Sequence, residues 1–215
     1  MNATVLPIVF QVAALLLAVC FHESAHGWMA LRCGDPTARD LGRISLNPIR
    51  HLDPFGSLVL PILLAITGAP VFGWAKPVPV DLSRTRNPRL ANLLVSAAGP
   101  VSNLLLATIF AILSLQLRSL AADDGASLTI QAAFLFTLYA VVINVLLAIF
   151  NLLPIPPLDG FGVLESVLPP TLGPLAAGLR RFGMPILLVL ILSGVLRGIL
   201  GPAQRGIVDW LLGRS

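Results

Sequence analysis

The first formally charged residue of this chain is Glu23. Everything before it is apolar or weakly polar, a run long enough to reach most of the way across about 30 Å of hydrocarbon. It has no basic segment ahead of its apolar part, so it is expected to stay in place as a membrane helix rather than act as a cleaved signal. A short motif of ionisable residues stands at its end, between His22 and His26.

The rest of the chain repeats this blocked pattern. Apolar stretches at about 5 to 31, 91 to 116, 129 to 151 and 183 to 200 each approach the length of about 20 residues needed to cross a bilayer. The hydrophobic fraction is 56%, the charged fraction 11% and the mean hydropathy +0.90, too few charges to cover a soluble core of this size. The net charge of +4 is spread between apolar blocks with no Lys/Arg stripe, which suits interfacial anchoring and excludes a nucleic-acid binder. Cys20 and Cys33 form no CxxC pair, and no disulfide is expected. The expected fold is an all-α polytopic membrane protein, one membrane-embedded domain over residues 1–215, with an additional C-terminal span at 183–200.

A fifth apolar block, 55 to 72, is shorter and is broken by Pro61, Gly68 and Pro70. The linkers around it, 32 to 54 and 73 to 90, are basic, which favours the cytoplasmic side for both. The linker with Asp123 and Asp124 then falls outside. With both basic linkers on one side, the 55–80 region reads as a re-entrant hairpin in preference to a fifth full span. The KPVPV spacing resists helix and suits an extended path. Short extended membrane-associated segments are therefore expected, in 41 to 49 as well as 72 to 80, and such backbone needs protein or a wet cavity around it.

His22, Glu23 and His26 carry the chemistry. Residues four apart share a helix face, so both imidazoles can reach one ion, while Glu23 stands one step round, placed to act as a base. Zinc held this way acidifies a bound water and polarises a carbonyl. Ionisable groups inside a span need a partner or a polar cavity, which makes a solvated helix face a poor explanation.

A hydrolytic zinc usually has three protein ligands. Asp35, Asp40, His51 and Asp53 lie near the first motif; Asp159 is distant, in NLLPIPPLDG. If the 55–80 block does not cross, two further spans return the chain after Asn151 to the depth of His26, which favours Asp159. His51 and Asp53 stay as rivals, with shaping of the loop as their expected part.

Together these residues resemble the site-2 protease family of intramembrane zinc metalloproteases. The matching pieces are HESAH at His22–His26, AAGPVSN with Gly99, Pro100 and Asn103, and NLLPIPPLDG with Asn151, Pro154, Asp159 and Gly160. HLDPFGS from His51 and FGWAKPVPV from Phe72 resemble the compact branch that lacks a PDZ domain, and the likeness is strongest over 15–165. The resemblance implies that His22, His26 and Asp159 ligate Zn2+ and that Glu23 is the catalytic base. It implies that Asn151 helps hold substrate, that Gly99 and Asn103 shape the neighbouring core helix, and that FGWAKPVPV lines substrate entry. Phe161 departs from the small residue many relatives carry after LDG.

The expected function is hydrolysis of transmembrane or residual signal-peptide segments in the bacterial inner membrane, with the site toward the cytoplasm. The rival is a metal-binding transporter or sensor without proteolytic activity, which should instead distribute charges over repeated halves. Peptide substrates and lipid are the expected partners.

Overall fold

The computed structural model of the protein describes residues 5–67, 73–123 and 125–214, and the regular structure within them is helical, with no strand. In chain order the α-helices are α1 (Val5–Cys33), the single turn α2 (Thr37–Asp40), α3 (Leu60–Thr67), α4 (Pro88–Ala121), α5 (Leu128–Asn151), α6 (Asp159–Val167), α7 (Gly173–Leu192) and α8 (Val195–Leu211). Four stretches are long and apolar enough to cross a bilayer: Leu6–Cys33, Pro88–Ala121, Leu128–Asn151 and Pro170–Leu192. The chain is an integral membrane protein with an all-α fold.

The helix starts follow from local chemistry. Asn87 accepts a hydrogen bond from the Leu90 N–H with Pro88 at the first helical position, and Ser127 caps Ile130 in the same way. Asp53, before Pro54, accepts from the N–H groups of Phe55 and Gly56. Three expected spans agree with the observed helices to within a few residues. The fourth differs: the window 183–200 straddles a break, because the helix stops at Leu192 and the chain turns at Gly194, φ 76, before α8. Averaged hydropathy runs across that break, and it undervalues the front of α7, where Arg180 is neutralised by an ion pair with Glu165.

Small residues hold the bundle together. Ala14, Ala18, His22, His26 and Ala30 recur every four residues along α1, and all are buried. On α4 the buried series is Ala91, Val95, Gly99, Asn103, Ala107 and Ala111, with the same period, and on α5 it is Ala140, Asn144 and Ala148. Rows four apart form the ridges that interlock in helix packing, and small side chains let the backbones approach in hydrocarbon, where apolar burial supplies no drive between helices. The opposite faces carry exposed Ile8, Val12, Leu105, Ile109 and Ile112, as a lipid-facing surface does. α8 closes the bundle from the side, placing Val208 and Leu212 against Ala107, Ala111, Val141 and Val145.

α1 and α4 are antiparallel: His22 meets Asn103, and His26, four residues later, meets the carbonyl of Val95, eight residues earlier. The C-terminal end of α1, the N-terminal end of α4 and the turn after α5 therefore share one end of the bundle. At that end the segment 73–81 is irregular and tied to the π-helical stretch Pro54–Val59 that leads into α3 and to the 3-10 turn Pro48–His51 before it. Trp74 N–H donates to Gly56 O at 3.1 Å, Ser57 Oγ–H to Trp74 O at 2.8 Å and Lys76 N–H to His51 O at 2.8 Å. Residues 68–72, which carry the start of the expected return of the hairpin and include Phe72, lie outside the described residues, as does Asp124.

Candidate metal centre

The two imidazoles stand one helical turn apart on the buried stripe of α1, with their Nε2 atoms 3.0 Å apart. Asp159, the first residue of α6, brings Oδ2 to 3.1 Å from His22 Nε2 and 3.4 Å from His26 Nε2. These three donors lie within 4.8 Å of one another, and they form the one such cluster among the described residues. None of Asp35, Asp40, His51 or Asp53 joins it.

Hydrogen bonds behind the rings decide what the cluster can hold. Asn144 Nδ2 donates to Ala140 O at 2.8 Å, which leaves Asn144 Oδ1 to accept from Asn103 Nδ2 at 2.9 Å; Asn103 Nδ2 also donates to Ala18 O at 3.2 Å. Asn103 Oδ1 is thereby turned to His22 and accepts its Nδ1–H at 2.7 Å. His26 Nδ1–H donates to Val95 O at 2.7 Å. With a proton on each Nδ1, both Nε2 lone pairs point at each other and at Asp159 Oδ2, a buried oxygen with no hydrogen-bond partner among the described residues. Such a trio calls for a cation, either a shared proton or a metal ion. Its edges of 3.0, 3.1 and 3.4 Å are close to the roughly 3.3 Å between neighbouring ligands of a tetrahedral zinc. Histidines whose second nitrogen donates to an amide or carbonyl oxygen are the usual form of metal-bound imidazole. The residues fit a zinc ion.

Burial opposes the charge on Asp159, but a proton held by His22 and His26 against its Oδ2 outweighs burial and keeps the carboxyl at about 2. Gly99 makes room for the cluster: a Cβ there would stand 2.4 Å from His26 Nε2. Gly160 lets α6 start against the preceding turn, since a Cβ on it would lie 2.2 Å from the Leu152 carbonyl oxygen. Asn151 ends α5 with Nδ2 donating to Leu147 O at 3.0 Å, and Pro154 is exposed on the turn between them. Phe161 is buried, its ring under the Arg180 guanidinium, and it borders a cavity of about 240 Å³ that touches Asp159.

Glu23 is half-buried beside the pair, and its Oε2 accepts the Val78 N–H at 3.0 Å. The neighbouring acids have other work. Asp35 is fully buried and accepts from Thr37 N–H, Thr37 Oγ1–H and Asp81 N–H. Burial opposes its charge, yet these bonds hold its carboxyl below the ordinary value. Asp40 pairs with Arg39, Asp53 caps the turn at Pro54, and His51 Nε2–H donates to Ser45 O at 2.6 Å. Sequence reasoning passed over Asn144, although a buried amide within a span, on the same face as Ala140 and Ala148, signals a partner. It also passed over the link from Val78 to Glu23, which joins positions 55 residues apart.

Four helices able to span a bilayer, with an N,N,O donor trio at one end, define a polytopic membrane protein built around a metal-ion site. Its sequence matches Peptidase family M50 over residues 10–120 and 119–194, and the chain belongs to that family. The relative named "Putative zinc metalloprotease YwhC" from Bacillus subtilis (strain 168) is 38% identical over 203 residues, 94% of this chain and 89% of that protein. "Putative zinc metalloprotease Rip2" of Mycobacterium tuberculosis (strain H37Rv) is 35% identical over 208 residues, 96% of this chain and 74% of that protein. The protein of the same name in Mycolicibacterium smegmatis is 32% identical over 189 residues, 87% of this chain and 68% of that protein. No solved structure matches. Family and donor cluster together class the chain as a zinc-dependent intramembrane protease of the site-2 type.

Proposed function

We propose that the chain hydrolyses peptide bonds of transmembrane or residual signal-peptide segments at the cytoplasmic face of a bacterial inner membrane, with Glu23 as general base. The observation that carries this reading is the convergence of His22, His26 and Asp159 at one end of a membrane bundle, with Glu23 adjoining. His22, His26 and Asp159 would hold the zinc. Bound there, zinc supplies Lewis acidity toward a water and the scissile carbonyl. Glu23, steadied at one oxygen by Val78 N–H, has its other oxygen to take a proton from the attacking water and return it to the departing amine nitrogen. Asn103 and Asn144 keep the His22 ring in the tautomer that offers Nε2, and Gly99 leaves space for both rings. Asn151 would help hold substrate by exchanging its bond to Leu147 O for one to a substrate carbonyl.

A membrane helix hides its peptide bonds, so the substrate must unwind beside the site and find new hydrogen-bond partners. Segment 41–49 offers them by strand-like pairing. Arg43 N–H and both backbone groups of Ser45 bond within the protein, whereas among the described residues no such bond occupies the backbone of Ile44 or Leu46, the alternate positions. The region 55–80 is read as re-entrant, supported by the bonds that set Trp74 and Lys76 beside Gly56 and His51. The cytoplasmic orientation rests on the basic residues at the site end, Arg32, Arg39, Arg43, Arg50, Lys76, Arg84, Arg86 and Arg89. Residues 1–215 act as one membrane-embedded catalytic domain.

The test is purification in detergent with metal analysis, then cleavage of a synthetic transmembrane peptide by the intact protein and by Glu23→Gln. Near-stoichiometric zinc is expected in both, with cleavage by the intact protein alone. Equal cleavage rejects Glu23 as the base, and intact protein without zinc removes the central claim.

A further inference from the structure

Glu23 is oriented from a distance. Its partner, the Val78 N–H, belongs to Lys76-Pro77-Val78-Pro79, an irregular segment whose prolines contribute no donors. A lone backbone N–H in such a segment points wherever its flanking peptides are held. Two anchors hold them: Lys76 N–H donates to His51 O, and Arg43 Nη2 donates to both Lys76 O at 2.7 Å and Pro77 O at 3.2 Å. Pro77 O belongs to the same peptide plane as the Val78 N–H, so fixing that oxygen fixes the direction of the N–H on its far side. Arg43 is buried, and it sits on the segment bonded to α1 through Ser45 and Ser24, the residue after Glu23.

From this geometry we infer that Arg43 is a positioning residue for catalysis: by clamping the Lys76 and Pro77 carbonyls it aims the Val78 N–H at Glu23 and sets the orientation of the carboxylate. The inference rests on the reading of Glu23 as the base. It separates Arg43 from the many basic residues at this end of the bundle, whose expected task is anchoring at the interface. The planar guanidinium spans two successive carbonyls from one nitrogen, a geometry that a lysine ammonium on a flexible stem reproduces poorly.

The experiment compares steady-state cleavage of a synthetic transmembrane peptide by the intact protein, Arg43→Ala, Arg43→Lys, Val78→Pro and Arg43→Ala/Val78→Pro, with zinc content and amide exchange of segment 74–80 for each. Val78→Pro deletes the N–H while leaving Arg43 in place. Arg43→Ala is expected to lower kcat by about 10- to 100-fold, on the scale of a 1 Å misplacement of a catalytic group. KM and zinc content should stay within about twofold, and exchange in 74–80 should rise. Arg43→Lys should recover part of kcat, and Val78→Pro should match Arg43→Ala without adding to it in the double variant, as residues on one path do. Wild-type kcat in either single variant, or multiplied losses in the double variant, overturns the inference. Should Arg43→Ala fail to fold, Arg43→Lys carries the test: a lowered kcat with KM and zinc content unchanged supports the inference, and wild-type kcat overturns it. Inactive Glu23→Gln beside fully active Arg43 and Val78 variants sinks only the positioning role, whereas active Glu23→Gln removes the base and this inference together.

Discussion

Gly99→Ala tests the metal centre with a single methyl group. An added Cβ would lie 2.4 Å from His26 Nε2 and 2.6 Å from the Cε1 atoms of both His22 and His26, where ordinary contact starts at 3.4 Å. The rings or α4 must therefore give way by about 1 Å at the donor atoms, twice the roughly 0.5 Å within which a functional constellation has to be held. The rings cannot swing aside freely. His22 is tied to Asn103 and His26 to Val95 O, and leaving a buried polar group unpaired costs about 1–3 kcal/mol each. Retreat of α4 instead parts the stripe of small residues that joins it to α1. Either response should weaken zinc at least about 100-fold, roughly 2.7 kcal/mol. Alanine is a better helix former than glycine by about 1 kcal/mol, so a loss cannot come from a weakened α4. Competition with a chromophoric chelator in detergent measures the affinity, and circular dichroism checks that the helices persist. Wild-type affinity in Gly99→Ala would refute the placement of the two rings against α4.

Three further outcomes are expected. Asn103→Leu removes the acceptor from His22 Nδ1–H and strands Asn144 Oδ1, and zinc affinity should fall about 10- to 100-fold as for other partners behind a metal ligand; unchanged affinity would show that the amide does not hold the ring. Gly160→Ala sets a Cβ against the fixed backbone at Leu152, and a cost of about 1–3 kcal/mol should lower the thermal midpoint by several degrees; an unmoved midpoint contradicts the close approach. Asp35 has its folded pKa depressed below the ordinary 3.8, so its contribution is present above that value and lost as pH falls through the lower folded one. Asp35→Asn should make the 34–47 loop more protease-sensitive at neutral pH, by about 1–2 kcal/mol of opening free energy, with the gap to wild type closing below about pH 4. A gap constant down to pH 2 would rule out the charge as its source.

Much of the core was legible without coordinates, because helix periodicity is local. The rows at Ala14, Ala18, His22, His26 and Ala30, and at Val95, Gly99, Asn103 and Ala107, can be counted off the sequence, and each marks a buried face. The starts at Asn87-Pro88 and Asp53-Pro54 are equally plain, since capping involves residues two or three apart. The C-terminal third was harder. Arg180 counts against a span until its partner Glu165 is known, and α8 has too little apolar length to announce itself beside α5.

What the sequence alone determined is the membrane, the helical His pair and the identity of the residues able to join it. Those depend on composition and on spacings within one turn of helix. Only the tertiary structure decided that Asp159 closes the trio, that Asn103 and Asn144 set the tautomer of His22, and that Val78 reaches Glu23. These contacts join positions between 41 and 137 residues apart, and their existence depends on how α1, α4 and the turn after α5 meet at one end of the bundle. No local spacing encodes that meeting. It follows from the small-residue faces packing together, which brings one end of each helix to a common depth and leaves three lone pairs facing one point.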